Sequence, residues 1–107
     1  MKILIGDDHE LISAGIIANF ASVGRTDEFK TAKDKTALLQ HLNNESFDVL
    51  ILDVQFGDDD ARQIVKEIEE ANFIIKKIAL SSHEDELTVR SVLAAGFQAY
   101  VSKRALQ

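Results

Sequence analysis

The chain has 107 residues, 46% of them hydrophobic and none of them cysteine, and a formal net charge of -6. This length and apolar content predict one compact domain with a buried core, and the lack of cysteine excludes disulfides and thiol chemistry. The acidic charge argues against nucleic-acid binding by this chain alone. Because no apolar stretch reaches the roughly 20 residues of a membrane span and no signal peptide precedes the first strand, we expect a cytoplasmic chain without membrane contact.

Short apolar runs alternate with helical patterns, which is typical of βαβ units and a parallel sheet. Continuous apolar runs at residues 3–5, 49–52 and 78–80 predict three central strands that are covered on both faces. Weaker, more polar runs at residues 25–30 and 99–101 predict two edge strands. The pattern therefore predicts an α/β fold with a five-stranded, doubly wound parallel sheet.

Apolar residues at helical spacing predict helices between these strands. The first three cover residues 11–20, 37–42 and 61–71. Ser82 is the predicted N-cap of a fourth helix, with Asp85 three residues later as in a capping box, and Gly96 ends that helix. Only residues 104–107 follow the last strand, so we expect the fifth helix to be largely missing. The apolar surface left uncovered beside the first helix should then favour self-association.

Charged residues stand where three of the predicted strands end. Asp7 and Asp8 follow the first strand, Asp53 closes the third, and Lys103 follows the fifth. Ligands of open parallel sheets bind outside the carboxyl ends of the strands, so we expect these four side chains to converge on one crevice. Adjacent acids favour a positive group between them, and a metal ion with a phosphoryl group would suit the crevice.

Four motifs in this order resemble the response-regulator receiver domain of two-component signal transduction. They are Gly6-Asp-Asp-His-Glu10, Asp53 after Leu52, Ser81-Ser82 after Leu80, and Gly96-Phe-Gln-Ala-Tyr-Val-Ser-Lys103. The resemblance spans the chain, and the Asp-Asp-His opening is most similar to the subgroup with a LuxR-type helix-turn-helix output domain. It implies a flavodoxin-like fold with strand order 2-1-3-4-5. Residues 1–107 would then be the receiver domain of a longer regulator.

The resemblance implies that the protein is itself the phospho-acceptor. Asp53 would take a phosphoryl group from a sensor histidine kinase or phosphotransfer protein, with Mg2+ as cofactor, to form an aspartyl phosphate. Asp8 and Asp53 would each give Mg2+ an oxygen, Asp7 would hold a metal-bound water, and the backbone carbonyl of Gln55 would complete the set. Lys103 would offset charge on the phosphoryl oxygens.

The resemblance also implies a conformational switch. Ser81 would donate a hydrogen bond to the phosphoryl group, and Tyr100 would swing inward as Ser81 moves. Gln55 and His83 would flank the attacking water and tune dephosphorylation. Such a domain catalyses its own phosphorylation and dephosphorylation rather than acting as an enzyme on other substrates. It commonly dimerises when phosphorylated, and it would contact DNA only through an output domain.

Other interpretations stay open for the same residues. Asp7 could cap the helix that begins near Glu10, Ser81 could simply end a strand, Lys103 could be a solvated charge, and Tyr100 could pack in the core. The histidines are too scattered for a zinc set, and surface roles are favoured for His9 and His41. The chain could also be a pseudo-receiver that binds partners without phosphorylation. A dehalogenase-like phosphatase is disfavoured, because it needs an aspartate at the position of Gln55.

The segment after Asp53 departs from the family pattern. The family usually has Met-Pro-Gly between the acceptor and the third helix, and this chain has Phe56-Gly57-Asp58 instead. Glycine in place of proline should make this segment more mobile. The run Asp58-Asp-Asp60 is interpreted as a solvated loop that makes the crevice more negative.

Overall fold

A computed structural model of the chain describes residues 1–82 and 85–106. In chain order, its elements are β1 (Lys2–Gly6), α1 (Glu10–Ser22), β2 (Glu28–Ala32), α2 (Lys35–Asn44), β3 (Val49–Asp53), β4 (Gln55–Phe56), β5 (Asp59–Asp60), α3 (Ala61–Glu70), β6 (Lys76–Ser81), α4 (Glu86–Ala94), β7 (Ala99–Ser102) and a 3-10 helix (Lys103–Leu106). No helix in the described ranges is long and apolar enough to cross a membrane.

Five parallel strands form the main sheet in the order β2-β1-β3-β6-β7. This is the predicted order 2-1-3-4-5, and the flavodoxin-like fold is confirmed. Every residue of the central strand β3 is buried, as the continuous apolar run predicts. The carboxyl ends of β1, β3, β6 and β7 therefore open at the same edge of the sheet.

The edge strand β2 begins three residues later than predicted. The Arg25 guanidinium binds the Asp27 carboxylate at 2.7 Å, and Gly24 has a φ of 77°. These residues form a turn after α1, whose geometry needs the left-handed conformation that glycine adopts easily. Ladder pairing starts at Glu28, whose N–H donates to the Met1 carbonyl at 3.0 Å.

The two faces of the sheet are covered unequally. On one face, α2, α3 and α4 enclose a large core that includes Leu50 and Leu52. On the other face, a smaller core forms where Ile16 of α1 packs against Ile3 and Ile51. The 3-10 helix lies beside α1, and the described residues contain no fifth α-helix. Self-association through this second face stays a prediction.

The start of α4 differs from the prediction. Its N-cap is Asp85, whose carboxylate accepts from the Thr88 N–H at 2.9 Å and from the Thr88 hydroxyl at 2.7 Å. Ser82 is therefore not the cap, because the helix begins three residues farther along, at Glu86. An aspartate that accepts from the third helical N–H is a favourable N-cap. Gly96 follows α4 as predicted, with a φ of 121°.

Candidate functional site

Two neighbouring strands bring buried acids to the same end of the sheet. Asp7 follows β1 and is 3% exposed, while Asp53 ends β3 and is 4% exposed. Asp8 is exposed beside them. Ligand atoms of Asp7, Asp8, His9 and Asp53 lie within 4.8 Å of one another. The acids thus converge as the strand pattern predicts.

Asp7 supports the turn between β1 and α1 and does not cap the helix. Its Oδ1 accepts a hydrogen bond from the His9 N–H at 2.8 Å. The N-cap of α1 is His9, which makes no side-chain capping bond, so the capping interpretation of Asp7 is wrong. The second oxygen of Asp7, Oδ2, is buried and has no hydrogen-bond partner within the described part of the chain. Its charge is offset in part by the Lys103 ammonium, whose Nζ lies 3.5 Å away, and a closer cation would satisfy this oxygen more fully.

Lys103 places one ammonium between the two buried carboxylates. Its Nζ donates to Asp53 Oδ2 at 2.9 Å and lies 3.5 Å from Asp7 Oδ2. Burial alone would lower the pKa of Lys103, but the hydrogen bond to Asp53 and the charges of both acids outweigh burial and raise it. With a side chain only 17% exposed, Lys103 is not a solvated surface charge.

The carboxyl group of Asp53 has a raised pKa because it is buried beside another acid. Burial raises this pKa, and the charge of Asp7 adds to the rise. The hydrogen bonds from Lys103 and from the Gln55 N–H, the latter 3.2 Å long, oppose the rise without cancelling it. Ionised Asp53 is therefore under-compensated here, which favours a further cation.

The segment after Asp53 is an antiparallel hairpin rather than a solvated loop. Phe56 of β4 pairs with Asp59 of β5, and Gly57 turns the chain with a φ of 60°. Phe56 is fully buried, so its ring fixes the hairpin to the core. Asp60 caps α3 by accepting from the Arg62 N–H at 2.8 Å. It also pairs with the Arg62 guanidinium, which lowers the pKa of Asp60 and offsets part of the acidic run.

The other predicted residues fall around the same site. Ser81 ends β6, is 2% exposed and lines the cleft above Asp53. Tyr100 lies one strand away on β7, half-buried and packed against the larger core, as the core interpretation expects. Its role as a switch residue stays a prediction. His83 lies outside the described residues.

His9 lies closer to the acids than the sequence indicated. Its side chain is 63% exposed, yet Nδ1 lies 3.1 Å from Asp7 Oδ1 and 3.1 Å from Asp8 Oδ1. His41, by contrast, lies on α2 near Glu45. The sequence signal for His9 was its position directly after the two acids.

Arg62 is a second residue of the site that sequence reasoning missed. Its guanidinium donates to the Ser91 hydroxyl of α4 at 2.6 Å and also holds Asp60. It lies on the wall of an open cleft of about 790 Å³ above the acids. The wall also includes Asp8, Asp53, Gln55, Ser81, Thr88 and Lys103.

The donor set fits a hard divalent cation. Carboxylate and carbonyl oxygens are the protein ligands that Mg2+ prefers, and it usually keeps several waters. Asp8 and Asp53 offer such oxygens on the wall of the open cleft, and Asp7 Oδ2, which has only the 3.5 Å ion pair with Lys103 in the described part of the chain, belongs to the same cluster. These residues would hold Mg2+ at the mouth of the cleft.

Together, the strand order and the acidic crevice define a flavodoxin-like α/β domain whose site lies at the carboxyl ends of its strands. The family model of the response regulator receiver domain matches residues 3–107, and the chain belongs to this family. It is therefore the receiver domain of a two-component response regulator.

The chain is similar to a curated transcriptional regulatory protein over nearly its whole length. The "Probable transcriptional regulatory protein NarL" of Mycobacterium tuberculosis is 22% identical over 103 residues, which cover 96% of this chain and 48% of the relative. This match supports the predicted LuxR-type relationship. The chain spans about half the length of the curated relatives it matches.

Solved structures share the fold. The receiver domain of the Francisella response regulator 1452 is 24% identical, with a TM-score of 0.84 over 96% of this chain and 84% of that one. A Burkholderia pseudomallei response regulator is 18% identical, with a TM-score of 0.79 over 95% of this chain and 59% of that one. The Burkholderia structure contains a phosphorylated aspartic acid, a calcium ion and citrate.

Proposed function

We propose that this domain is a phosphorylation-controlled switch in which Asp53 is the phospho-acceptor. The observation that carries the proposal is the Asp53 carboxylate, which is 4% exposed, belongs to an acidic cluster and accepts from Lys103 Nζ at 2.9 Å. An Asp53 carboxylate oxygen would attack the phosphorus of a kinase phosphohistidine. The P–N bond breaks, and the imidazole leaves with a proton from solvent.

The neighbouring groups supply charge stabilisation for this transfer. Mg2+, when bound, would supply positive charge to the phosphoryl oxygens. Asp8, Asp53 and the Gln55 carbonyl would hold it, while Asp7 would orient one of its waters. Lys103 lies close enough to both buried acids to move its hydrogen bond from Asp53 to a phosphoryl oxygen. Preorganised charge of this kind is the main contribution that a protein makes to phosphoryl transfer.

Ser81 and Tyr100 are the proposed link from phosphorylation to conformational change. Ser81 would donate its hydroxyl to a phosphoryl oxygen, and Tyr100 would swing inward as Ser81 moves. Tyr100 is half-buried and pairs in register with Ala79 of β6, so it lies one strand from the site.

The output of the switch is proposed to be transcription control through a separate DNA-binding domain. The relative named a transcriptional regulatory protein is about twice as long as this chain. A domain with net charge -6 is a poor partner for DNA phosphates, so a second domain would make that contact.

The direct test is mass spectrometry after incubation with acetyl phosphate and Mg2+. We expect one added phosphate in the wild-type chain and none in Asp53→Asn or with a chelator present. Asp58→Asn is the matched control, because Asp58 is an exposed acid of the same cleft and should keep the modification. A phosphate that persists in Asp53→Asn refutes the assignment. A wild-type chain that never gains phosphate favours the pseudo-receiver instead.

A further inference from the structure

We propose that the hydrogen bond between Arg62 and Ser91 holds α4 against α3 and thereby opposes the change of conformation that phosphorylation would cause. The inference rests on the proposed function, because it names a control of the same switch. It starts from the guanidinium of Arg62 on α3, whose Nη1 donates to the Ser91 hydroxyl of α4 at 2.6 Å. Both helices lie wholly in the described ranges, where this is the one side-chain hydrogen bond between them.

Few apolar side chains of α4 are removed from water. Val92 alone among its nine residues is buried, while Leu87 is 80% and Leu93 is 40% exposed. The helix α3, by contrast, buries four of its ten residues. Because hydrophobic burial contributes little to the position of α4, a polar contact with α3 contributes a correspondingly larger share of the free energy that fixes this helix.

Asp60 orients the Arg62 guanidinium for its contact with Ser91. The Asp60 carboxylate accepts from Nε at 2.9 Å and from Nη2 at 2.6 Å, which leaves Nη1 for the serine. Asp60 is itself held as the N-cap of α3 by the Arg62 N–H at 2.8 Å. A planar guanidinium that is fixed at two nitrogens loses little further freedom when the third nitrogen donates. The Arg62 side chain is 43% exposed, so the contact is of moderate strength.

The start of α4 lies close in the chain to the residue at which the switch would begin. The helix begins at Glu86, five residues after Ser81, the proposed donor to the phosphoryl group. Ser81 and Arg62 both line the cleft above the acids. Movement of Ser81 toward a phosphoryl group would shift the start of α4 and strain the contact of Arg62 with Ser91. A net hydrogen bond at an exposed site favours the conformation that contains it by about fivefold.

Amide hydrogen exchange, measured by mass spectrometry on peptides of α4, tests this contact without any phosphodonor. We expect Arg62→Met and Ser91→Ala each to speed exchange in α4 by about fivefold, and the double variant to be no faster than either. Alanine is a better helix former than serine, so faster exchange in Ser91→Ala would not reflect a weaker helix. Arg90→Met is the matched control, because Arg90 pairs with Glu86 within α4 rather than with α3.

Calorimetric titration with beryllofluoride, which imitates a phosphoryl group, in the presence of Mg2+ measures control of the switch. Because binding would no longer oppose this contact, we expect affinity to rise about fivefold in Arg62→Met and in Ser91→Ala, and to stay unchanged in Arg90→Met. Wild-type exchange rates in α4 of both variants overturn the inference, and so does faster exchange without tighter binding. Either result leaves the proposed function intact if Asp53 still takes phosphate. A wild-type chain that neither takes phosphate nor binds beryllofluoride refutes the proposed function and this control with it.

Discussion

Replacing Phe56 with leucine should lower the affinity of the site for Mg2+, although the Phe56 side chain is not a proposed ligand. Of residues 55–60, which form the β4–β5 hairpin, Phe56 alone is buried. A methyl group added to Gly6 would lie 3.6 Å from the Phe56 ring, so the ring packs beneath the strand end that carries Asp7. Its neighbour Gln55 offers both the proposed carbonyl ligand and the N–H that holds Asp53.

The expected magnitudes follow from burial and mass action. Truncation to alanine removes about 150 Å² of buried aromatic surface, worth about 4 kcal/mol, within the range of about 3–5 kcal/mol for such changes. The leucine variant should lose about 1–2 kcal/mol and stay folded. At ten times Kd, Mg2+ adds about 1.4 kcal/mol to the free energy of unfolding, and a tenfold loss of affinity would leave about 0.4 kcal/mol.

Urea denaturation followed by circular dichroism, with and without Mg2+, measures both quantities. Phe97→Leu is the matched control, because Phe97 is 4% exposed in the same core but precedes β7 at the opposite end of the sheet. Both variants should lose similar stability without metal, and only Phe56→Leu should lose most of the stabilisation by Mg2+. Equal Mg2+ effects in the two variants would refute the argument that the hairpin positions the site.

Further results are expected at the site itself. In metal-free protein the pKa of Asp53 is raised above its ordinary value of 3.8. Between pH 3.8 and the native pKa, the native state therefore binds more protons at Asp53 than the unfolded chain does. The contribution of Asp53 to the free energy of unfolding should fall as pH rises through this range. Urea titrations across this range should show no such fall in Asp53→Asn. Lys103→Met should raise the pKa of Asp53 further, seen by carboxyl-carbon NMR, and slow phosphorylation by about 100-fold. Gln55→Ala keeps the backbone carbonyl proposed to bind Mg2+ but removes the side chain proposed to flank the attacking water. The rate of aspartyl phosphate decay should therefore change more than the rate of its formation. Equal changes in the two rates would contradict this expectation.

The sequence predicted the central sheet because its signals are local. The apolar run before Asp53 is too short for a helix and too continuous for a half-exposed strand, and β3 is buried throughout. The convergence of Asp7, Asp53 and Lys103 followed from strand polarity alone, since parallel strands end at one edge.

The errors arose where tertiary contacts decide. The hairpin after Asp53 has only two residues in each strand and no alternation of apolar and polar residues, so its polar sequence predicted a loop. Burial of Phe56 is what distinguishes it. Serine and aspartate are both good N-cap residues, so the sequence alone does not distinguish Ser82 from Asp85. The start of α4 at Glu86 makes Asp85 the N-cap. The contacts of His9 depend on how the turn after β1 folds back on itself.

The Arg62 side chain ties together three parts of the cleft wall. It extends from α3, grips Asp60 of the hairpin and reaches the Ser91 hydroxyl of α4. Since Gln55 pairs with Asp60 across the hairpin, these exposed contacts form a continuous series of polar groups from the outer helix to the hairpin beside Asp53. A displacement of α4 away from α3 would therefore first change the contacts of Arg62.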